Sequence, residues 1–338
     1  MQEMEYRTLG RHGVKVSRLC LGTMMFGGPT PEEEAIRIIH RALDLGINFI
    51  DTADMYTGGE SERITGKAIR DRRDQVVLAT KVRYPVGGGP NDSGLSRYHI
   101  FNAVDASLRR LGTDHIDLYY LHLPDYETPL EESLSAMDDL VRQGKVRYIG
   151  CSNFYAWQIC KGLWISDRRG WAPFACVQPL YNIVNRDAEV EVLPLCAEEG
   201  LGVVTYSPLA RGVLSGKYLP GGDLPPDSRA ARGDKRLHET ELRQESFEVA
   251  TRLKALASVK GCTLTQLALA WVMANPIVTC PILGPRTMEQ FEDNIGCLDV
   301  TITPEDEATI DALVPRGEHT GYGFNDPQYP VRGRPVAA

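Results

Sequence analysis

The chain has 338 residues, of which 43% are hydrophobic and 24% are charged, and its formal net charge is −8. A chain of this size can bury enough apolar surface to fold without disulfides or metal ions. Its acidic balance disfavours a nucleic-acid or anionic-membrane surface, which needs clustered lysine and arginine, so we expect small-molecule partners.

The first predicted elements are a hairpin and a series of strand–helix units. Residues 6–10 and 14–16 flank a glycine-containing turn, which is typical of a short hairpin. Eight apolar runs follow, and a stretch of helical periodicity comes after each of them. The runs are 18–21, 48–50, 76–79, 116–121, 148–150, 176–178, 202–206 and 278–282.

The predicted helices have recognisable ends. In the first helix Thr30 is the expected cap, Pro31 is the first helical residue, Glu32 and Glu33 are first-turn acids, and Gly46 ends it. Further helices are expected at 60–70, 97–111, 129–142, 153–163 and 187–199, with Gly144 and Gly200 where helix-ending glycines belong.

The spacing between strands widens once, between the seventh run and the eighth. This insertion, from 202 to 278, contains the proline- and glycine-rich segment 220–227 and at least one helix at 245–260, and it forms either a lid or a second lobe. The tail 315–338 has no apolar period and is expected to wrap the surface. We expect a single domain over 1–338, with a core of about 5–314.

Cysteine usage and the first residues predict a cytoplasmic protein. The eight cysteines include no Cys-x-x-Cys pair, and most stand among apolar neighbours, as reduced thiols do. Residues 1–7 lack the basic and apolar segments of a secretion signal, and no run of about 18 apolar residues occurs. We therefore expect no membrane association.

Strict alternation of strands and helices implies parallel strands covered by helices. Two architectures satisfy it, an open doubly wound sheet and a closed barrel, and the pattern alone does not choose between them. The doubly wound fold normally carries Gly-x-Gly-x-x-Gly after its first strand, and residues 21–28 do not match that spacing.

Three consecutive strand ends carry the residues that suggest chemistry. Asp51 and Tyr56 follow the second run, Lys81 follows the third, and His122 follows the fourth. Alone, Asp51 could cap a helix, Lys81 could extend to the rim, and His122 could be a core histidine. Together they favour a site, because a buried lysine at a strand end needs a partner, and Asp51 is one strand away.

A nearby ammonium also predicts that Tyr56 loses its proton more readily than a free phenol. A metal site is not expected, because His115 and His122 stand seven apart, on opposite faces of one strand, and no ligand motif is present.

These segments resemble those of the aldo-keto reductase superfamily, notably 48–56, 79–81, 117–125 and 150–154, and the resemblance runs from about 6 to 314. It is greatest to the branch with potassium-channel β-subunits, aflatoxin-aldehyde reductases and bacterial reductases. The resemblance implies a (β/α)₈ TIM barrel, NADPH or NADP as cofactor, and a catalytic tetrad of Asp51, Tyr56, Lys81 and His122.

The implied reaction is reduction of an aldehyde or ketone to the alcohol. Tyr56 acts as general acid, Lys81 held by Asp51 lowers its pKa, and neutral His122 orients the carbonyl. The resemblance also implies that Ser152, Asn153 and Gln178 bind the carboxamide. The remaining residues expected around the cofactor are Gly22, Thr23, Met24, Asp51, Tyr206, Ser207, Pro208, Leu209, Arg211, Gly212, Lys217, Gly284, Arg286, Gln290, Asp293 and Asn294.

Among these, Tyr206 would stack on the nicotinamide, 207–212 with Lys217 would cover the pyrophosphate, and Arg286 would contact the 2′-phosphate at a helix start. A simpler interpretation remains open for this end, in which Thr287 and Gln290 form an ordinary capping box and Arg211 and Lys217 are surface charges.

The sequence departs from the family pattern around the substrate. Met24 stands where many relatives of this branch have tryptophan, and Tyr206 where tryptophan or phenylalanine is common, so a wider pocket is expected. The loop 83–97 and the tail, with its aromatic residues, are expected to frame the opening. Those tail residues are Tyr322, Phe324 and Tyr329.

Two other functions stay open beside the reductase. One is an NADPH-binding regulatory module like a channel β-subunit, and the other is oxidation of a sugar or secondary alcohol with NADP. The intact tetrad and the short segment ahead of Glu5 favour the enzyme. A homo-oligomer also stays open.

Overall fold

The computed structural model describes residues 4–218, 221–226, 228–321 and 326. Its strands are β1 (Tyr6–Thr8), β2 (Lys15–Ser17), β3 (Cys20–Gly22), β4 (Phe49–Asp51), β5 (Val77–Val82), β6 (Ile116–Leu121), β7 (Val146–Ser152), β8 (Phe174–Gln178), β9 (Gly202–Thr205) and β10 (Cys280–Leu283). Its α-helices are α1 (Glu32–Asp44), α2 (Glu60–Ile69), α3 (Arg97–Leu111), α4 (Leu130–Arg142), α5 (Ala156–Arg169), α6 (Val192–Glu199), α7 (Lys235–Thr240), α8 (Gln244–Val259), α9 (Leu264–Ala274), α10 (Met288–Ile295) and α11 (Pro304–Leu313).

Over these described residues, strands β3 to β10 close into a parallel barrel in the order β10-β3-β4-β5-β6-β7-β8-β9. The predicted (β/α)₈ barrel is therefore confirmed, and the open sheet is excluded. β6 and α3 have the predicted bounds, and the other barrel strands lie within a few residues of theirs. In this fold the carboxyl ends of all eight strands face one mouth.

The predicted N-terminal hairpin is present and closes the opposite end of the barrel. β1 and β2 pair antiparallel. Leu9 and Val16 are fully buried and pack with the barrel's interior side chains, including Phe49 and Leu118. At the turn, a Cβ on Gly10 would lie 2.4 Å from the carbonyl oxygen of Gly200, so only glycine allows this approach. The mouth at the other end is left open for a ligand.

Several predicted helix starts are wrong. The largest difference is in the helix predicted from 187, which begins at Val192 because residues 187–189 form a separate 3₁₀ turn. Pro31 is the N-cap of α1 rather than its first residue, because the Thr30 hydroxyl does not cap the helix and donates instead to the carbonyl oxygen of Arg286, at 3.0 Å. The helix predicted from 153 begins at Ala156, because Asn153 has a left-handed backbone (φ 61°) that a helix cannot contain.

The insertion between β9 and β10 contains α7, α8 and α9, and the sequence predicted at least one helix there. α8 matches the predicted 245–260 within a residue or so. α9 has buried residues on all sides, so its sequence carries no one-sided apolar stripe to reveal it. Pro220 is outside the described residues, as is Asp227, and so are Tyr322, Phe324 and Tyr329 of the tail.

Other features of the described chain bear on its class. All eight cysteines are free. Within the described ranges, no group of three or more His, Cys, Asp or Glu side chains could hold a metal ion. No single described helix is long and apolar enough to cross a membrane; α8 and α9 meet that test only as a pair, and they are bent by 92° from each other.

The C-terminal helix is fixed to the barrel through a buried arginine. Arg186 donates from Nε to Glu189 (2.9 Å), and from Nη1 to Asp311 (2.8 Å) and to the carbonyl oxygen of Val314 (2.7 Å). Its guanidinium also lies over the ring of Trp271, 5.1 Å from the centroid. One cation thus joins the loop after β8 to α9 and α11.

Arg186→Met is expected to lower the free energy of unfolding by about 3–5 kcal/mol, because it leaves two carboxylates without their buried partner. Urea unfolding of the purified protein measures this. Arg37→Met is the control, since Arg37 pairs with Glu34 on the exposed surface of α1 and should change the value by about 0.5 kcal/mol or less. Equal effects of the two substitutions would contradict the anchoring role.

Candidate active site

The four residues predicted as a tetrad lie together at the mouth of the barrel. Asp51 ends β4, Lys81 lies near the end of β5, and His122 follows β6, so three neighbouring parallel strands bring them to one place. Tyr56 reaches the same point from the turn after β4, where its ring centroid is 6.0 Å from that of His122.

The Lys81 ammonium is buried and surrounded by oxygen acceptors. It donates to Asp51 Oδ1, to the carbonyl oxygen of Thr52 at 2.7 Å and to the Tyr56 hydroxyl at 3.2 Å. The other oxygen of Asp51 accepts from Gln178 Nε2 at 2.8 Å. Each ammonium hydrogen therefore has an acceptor, and the carboxylate is held on both sides.

Electrostatics favour the charged form of Lys81 and the protonated form of Tyr56. Burial alone would lower the pKa of Lys81, yet Asp51 and Tyr56 together raise it, so the ammonium stays charged. Burial raises the pKa of the Tyr56 phenol although Lys81 opposes it. The expectation that Tyr56 is more acidic than a free phenol is therefore wrong, because the phenolate loses more solvation than the ammonium returns.

His122 is neutral. Burial, with the nearby Lys81 and Arg83 cations, lowers its pKa well below the ordinary value. Its ring packs edge-on against Tyr84, with centroids 4.8 Å apart. Sequence reasoning placed the loop of Tyr84 at the opening without singling out this residue.

A cavity of about 1020 Å³ opens from the tetrad across the mouth. Its wall includes Tyr56, His122 and all nineteen residues predicted to surround a cofactor, while Lys81 lies behind the wall. Sequence reasoning missed several lining residues, which come from the turns around β3 and β4 and from the insertion. They include Met25, Met55, Arg229, Asp234, Lys235, Arg236 and Glu239.

The arm of the cavity nearest the tetrad is lined by interlocked polar groups. Ser152 Oγ donates to the carbonyl oxygen of Gln178 at 2.8 Å. The Tyr206 hydroxyl donates to Asn153 Oδ1 at 2.7 Å, and Asn153 Nδ2 donates to the carbonyl oxygen of His122 at 2.9 Å. The left-handed backbone of Asn153 aims its amide into this network. A planar amide ligand would thus meet donors and acceptors whose positions are already fixed.

Another part of the cavity wall, the cationic arm, is formed by Arg211, Lys217, Arg229 and Arg286. Two of these arginines are ion-paired, Arg211 with Glu241 and Arg229 with Asp234, both at 3.3 Å. Burial, together with Arg286, Arg229 and Arg232, lowers the pKa of Lys217 to about 8. Cations that depress one another's charge in a cavity form a favourable site for an anion.

β10, the eighth strand of the barrel, leads into the start of α10, which was predicted to bind an anion. Thr287 Oγ1 caps α10 by accepting from the amide of Gln290 at 3.2 Å. The Gln290 side chain accepts from the amide of Arg286 at 2.9 Å, one residue before the cap. Half of an ordinary capping box is thus present, and Gln290 also lines the cavity. Asp293 Oδ1 accepts from Thr263 and Gln266, and Asn294 is buried in the same wall.

Residues 18–315 match the model of the Aldo/keto reductase family. The chain belongs to this family. The aldo/keto reductases are oxidoreductases. The four residues that the sequence resemblance implied as a tetrad lie close together here, and their catalytic roles stay a prediction.

Similar proteins have diverse names. The chain is 44% identical to the uncharacterized oxidoreductase YrpG of Bacillus subtilis (strain 168), over 89% of this chain and 93% of that protein. It is 40% identical to a probable voltage-gated potassium channel subunit beta of Oryza sativa subsp. japonica, over 92% and 97% of the two chains. It is 36% identical to versiconal hemiacetal acetate reductase of Aspergillus parasiticus, over 94% and 99%.

Anion binding in the cationic arm is expected to weaken as the pH rises through about 8, the value to which the pKa of Lys217 is lowered. Loss of one charge-assisted contact should reduce the affinity for inorganic pyrophosphate about tenfold between pH 7 and pH 9.5. Isothermal titration calorimetry measures this. Lys217→Arg keeps its charge at both pH values and should lose less; the same loss in both proteins would mean that Lys217 does not contact the anion.

Proposed function

We propose that the protein reduces an aldehyde or ketone to the alcohol with NADPH. The observation that carries this proposal is the position of the Tyr56 hydroxyl, 3.2 Å from the buried Lys81 ammonium at the edge of the large cavity. Burial raises the pKa of this phenol. A phenol that keeps its proton at neutral pH suits a general acid, and the ammonium stabilises the phenolate that proton transfer leaves.

The residues around the cavity fit a dinucleotide. Groups that can hydrogen-bond an amide lie beside the tetrad, and four cations lie in the cationic arm. A dinucleotide suits both, because it carries a carboxamide on its nicotinamide and phosphates farther along the molecule. A Cβ on Gly284 would meet no atom within 4 Å, so this glycine leaves the backbone open to the cavity. We assign the carboxamide to Ser152, Asn153 and Gln178 and the 2′-phosphate to Arg286.

The chain's own residues then do the rest of the chemistry. A bound reduced nicotinamide supplies the hydride to the carbonyl carbon. Tyr56 gives its proton to the carbonyl oxygen, and neutral His122 donates a hydrogen bond that orients this oxygen and stabilises the charge that develops on it. Asp51 holds Lys81 in place, and the phenolate recovers its proton from solvent.

The proposal includes the domain organisation of the chain and its location in the cell. We assign the chain 1–338 to one domain, and its eight free cysteines support a reducing, cytoplasmic location. The similarity to probable channel β-subunits keeps a cofactor-binding regulatory module as the second candidate. Steady-state rates on a panel of aldehydes and ketones with NADPH and NADH, and on alcohols with NADP, separate the candidates: tight NADPH binding without turnover in either direction would favour the regulatory module.

Tyr56→Phe is expected to lower kcat for carbonyl reduction by about 10²–10⁴-fold, because it removes the proton and keeps the ring. Cofactor fluorescence titration should give nearly the wild-type Kd for NADPH. Tyr98→Phe, on the exposed surface of α3, is the control for the same chemical change. A Tyr56→Phe enzyme that kept more than about a tenth of wild-type single-turnover rate would exclude Tyr56 as the acid.

Arg286→Ala is expected to weaken NADPH binding by about one to two orders of magnitude and to leave NADH binding nearly unchanged. Its guanidinium suits a phosphate, and a charge-assisted contact contributes about 1.5–3 kcal/mol. Fluorescence titration with both cofactors measures the two constants, and NADH is the internal control. Equal losses would mean that Arg286 supports the loop without reading the 2′-phosphate.

A further inference from the structure

A pair of buried acids lies behind the tetrad, outside the cavity wall. Asp54 stands between Asp51 and Tyr56 in the turn after β4, and Glu62 lies on α2; neither side chain is exposed. Their positions are unusual because a buried carboxylate normally has an ion partner or several hydrogen-bond donors.

Only one of the two acids has such partners. Glu62 Oε2 accepts from Arg110 Nε and Oε1 accepts from the Thr80 hydroxyl, both at 2.6 Å. Neither carboxyl oxygen of Asp54 makes a hydrogen bond of normal geometry with the described residues. Arg110 therefore bonds directly to Glu62, whereas Asp54 has no direct ion pair among the described residues.

On balance, the surroundings of Asp54 favour its neutral form. Burial and the Glu62 carboxylate raise its pKa to about 8, and Arg110, the backbone amide of Met55 and Lys81 offset this only in part. The Tyr119 hydroxyl of β6, also buried and without a hydrogen-bond partner, belongs to the same electrostatic cluster.

Asp54 is also coupled to the tetrad by the backbone. Its amide donates to the carbonyl oxygen of Lys81 at 3.3 Å, which ties the turn that holds Asp51 and Tyr56 to β5. The Asp54 carboxyl and the Lys81 ammonium also interact electrostatically. A negative charge that appears on Asp54 therefore disfavours a second negative charge, the phenolate, on Tyr56 beside that ammonium.

We propose that Asp54 is a positioning residue that adjusts how strongly Tyr56 holds its proton. Asp54 is a neutral carboxylic acid at neutral pH and ionises in alkaline solution. Its negative charge then favours the protonated form of Tyr56, and hence carbonyl reduction over alcohol oxidation. The proton of Asp54 leaves to solvent, and no other bond changes. This inference rests on the proposed function, because it gives the phenol the role of acid in reduction and of base, as phenolate, in oxidation.

The sign of the effect makes the inference testable. A negative charge disfavours the phenolate, so ionised Asp54 raises the pKa of Tyr56 and extends reduction to higher pH. Without that charge, Asp54→Asn should shift the alkaline limb of the single-turnover reduction rate to lower pH by about 0.5–1 unit. The alkaline rise of alcohol oxidation should shift in the same direction, and the two proteins should converge at acid pH.

Asp114→Asn is the matched control, because Asp114 is an exposed aspartate far from the tetrad in sequence and pairs only with His115 on the surface. Its pH profile should coincide with that of the wild type. Coincident profiles for the wild type and Asp54→Asn, in both directions of the reaction, would overturn the proposal.

A second readout is independent of catalysis. Infrared spectra of the whole protein labelled at aspartate carboxyl carbons should show the carbonyl stretch of a protonated acid at pH 6–7 that disappears as the pH rises through about 8. Asp54→Asn should lack this band and Asp114→Asn should keep it. If Asp54→Asn does not fold, Asp51→Asn assigns the band, because burial raises the pKa of Asp51 as well: a band that remains in Asp51→Asn belongs to Asp54. Absence of the band at pH 6 contradicts the proposal, whereas a protein with the band but no carbonyl reductase activity overturns the proposed function alone.

Discussion

The buried ammonium of Lys81 is the charge on which the rest of the site depends. Three oxygens from two neighbouring segments surround it, those of Asp51, Thr52 and Tyr56. Such a pair adds little stability, since a buried ion pair often stabilises no more than apolar residues of the same volume would. Its presence at the end of β5 is better explained by chemistry than by folding: it fixes the phenol's position and stabilises the phenolate.

This charge is held in place by the closure of the barrel. The hairpin seals one end with Leu9 and Val16, and the interior beneath the tetrad is filled by apolar and sulfur-containing side chains such as Phe49 and Cys176. Water reaches the ammonium's surroundings only from the mouth, so the electrostatic interactions above the filled core are stronger than they are in bulk water. Burial away from water also raises the pKa of Tyr56, which is why a phenol beside an ammonium still keeps its proton.

Features that depend on local sequence pattern were predicted from the sequence, and features that depend on the extent of burial were missed. The bounds of α3 were predictable because Ser96 and Gly112 mark its ends, and the tetrad because its members follow apolar runs. α9 escaped notice since it is buried on all sides. Arg229 and Arg236 escaped because nothing periodic surrounds them, and only the closed fold brings them to the cavity. The direction of the Tyr56 shift needed the extent of burial, which spacing along the chain does not contain.

The tetrad and the cationic arm differ in how far their charges are compensated within the protein. In the tetrad, the Lys81 ammonium and the Asp51 carboxylate compensate each other without a ligand. In the cationic arm, burial first and then the nearby Arg286, Arg229 and Arg232 lower the pKa of Lys217 to about 8. Mutual repulsion in that arm lowers the stability of the folded chain, and an anion that binds there relieves it. Under the proposed function, the phosphates of the cofactor would meet these cations. Binding energy gained there, away from the reacting atoms, would hold the ligand in register while Tyr56 and Lys81 act on the carbonyl.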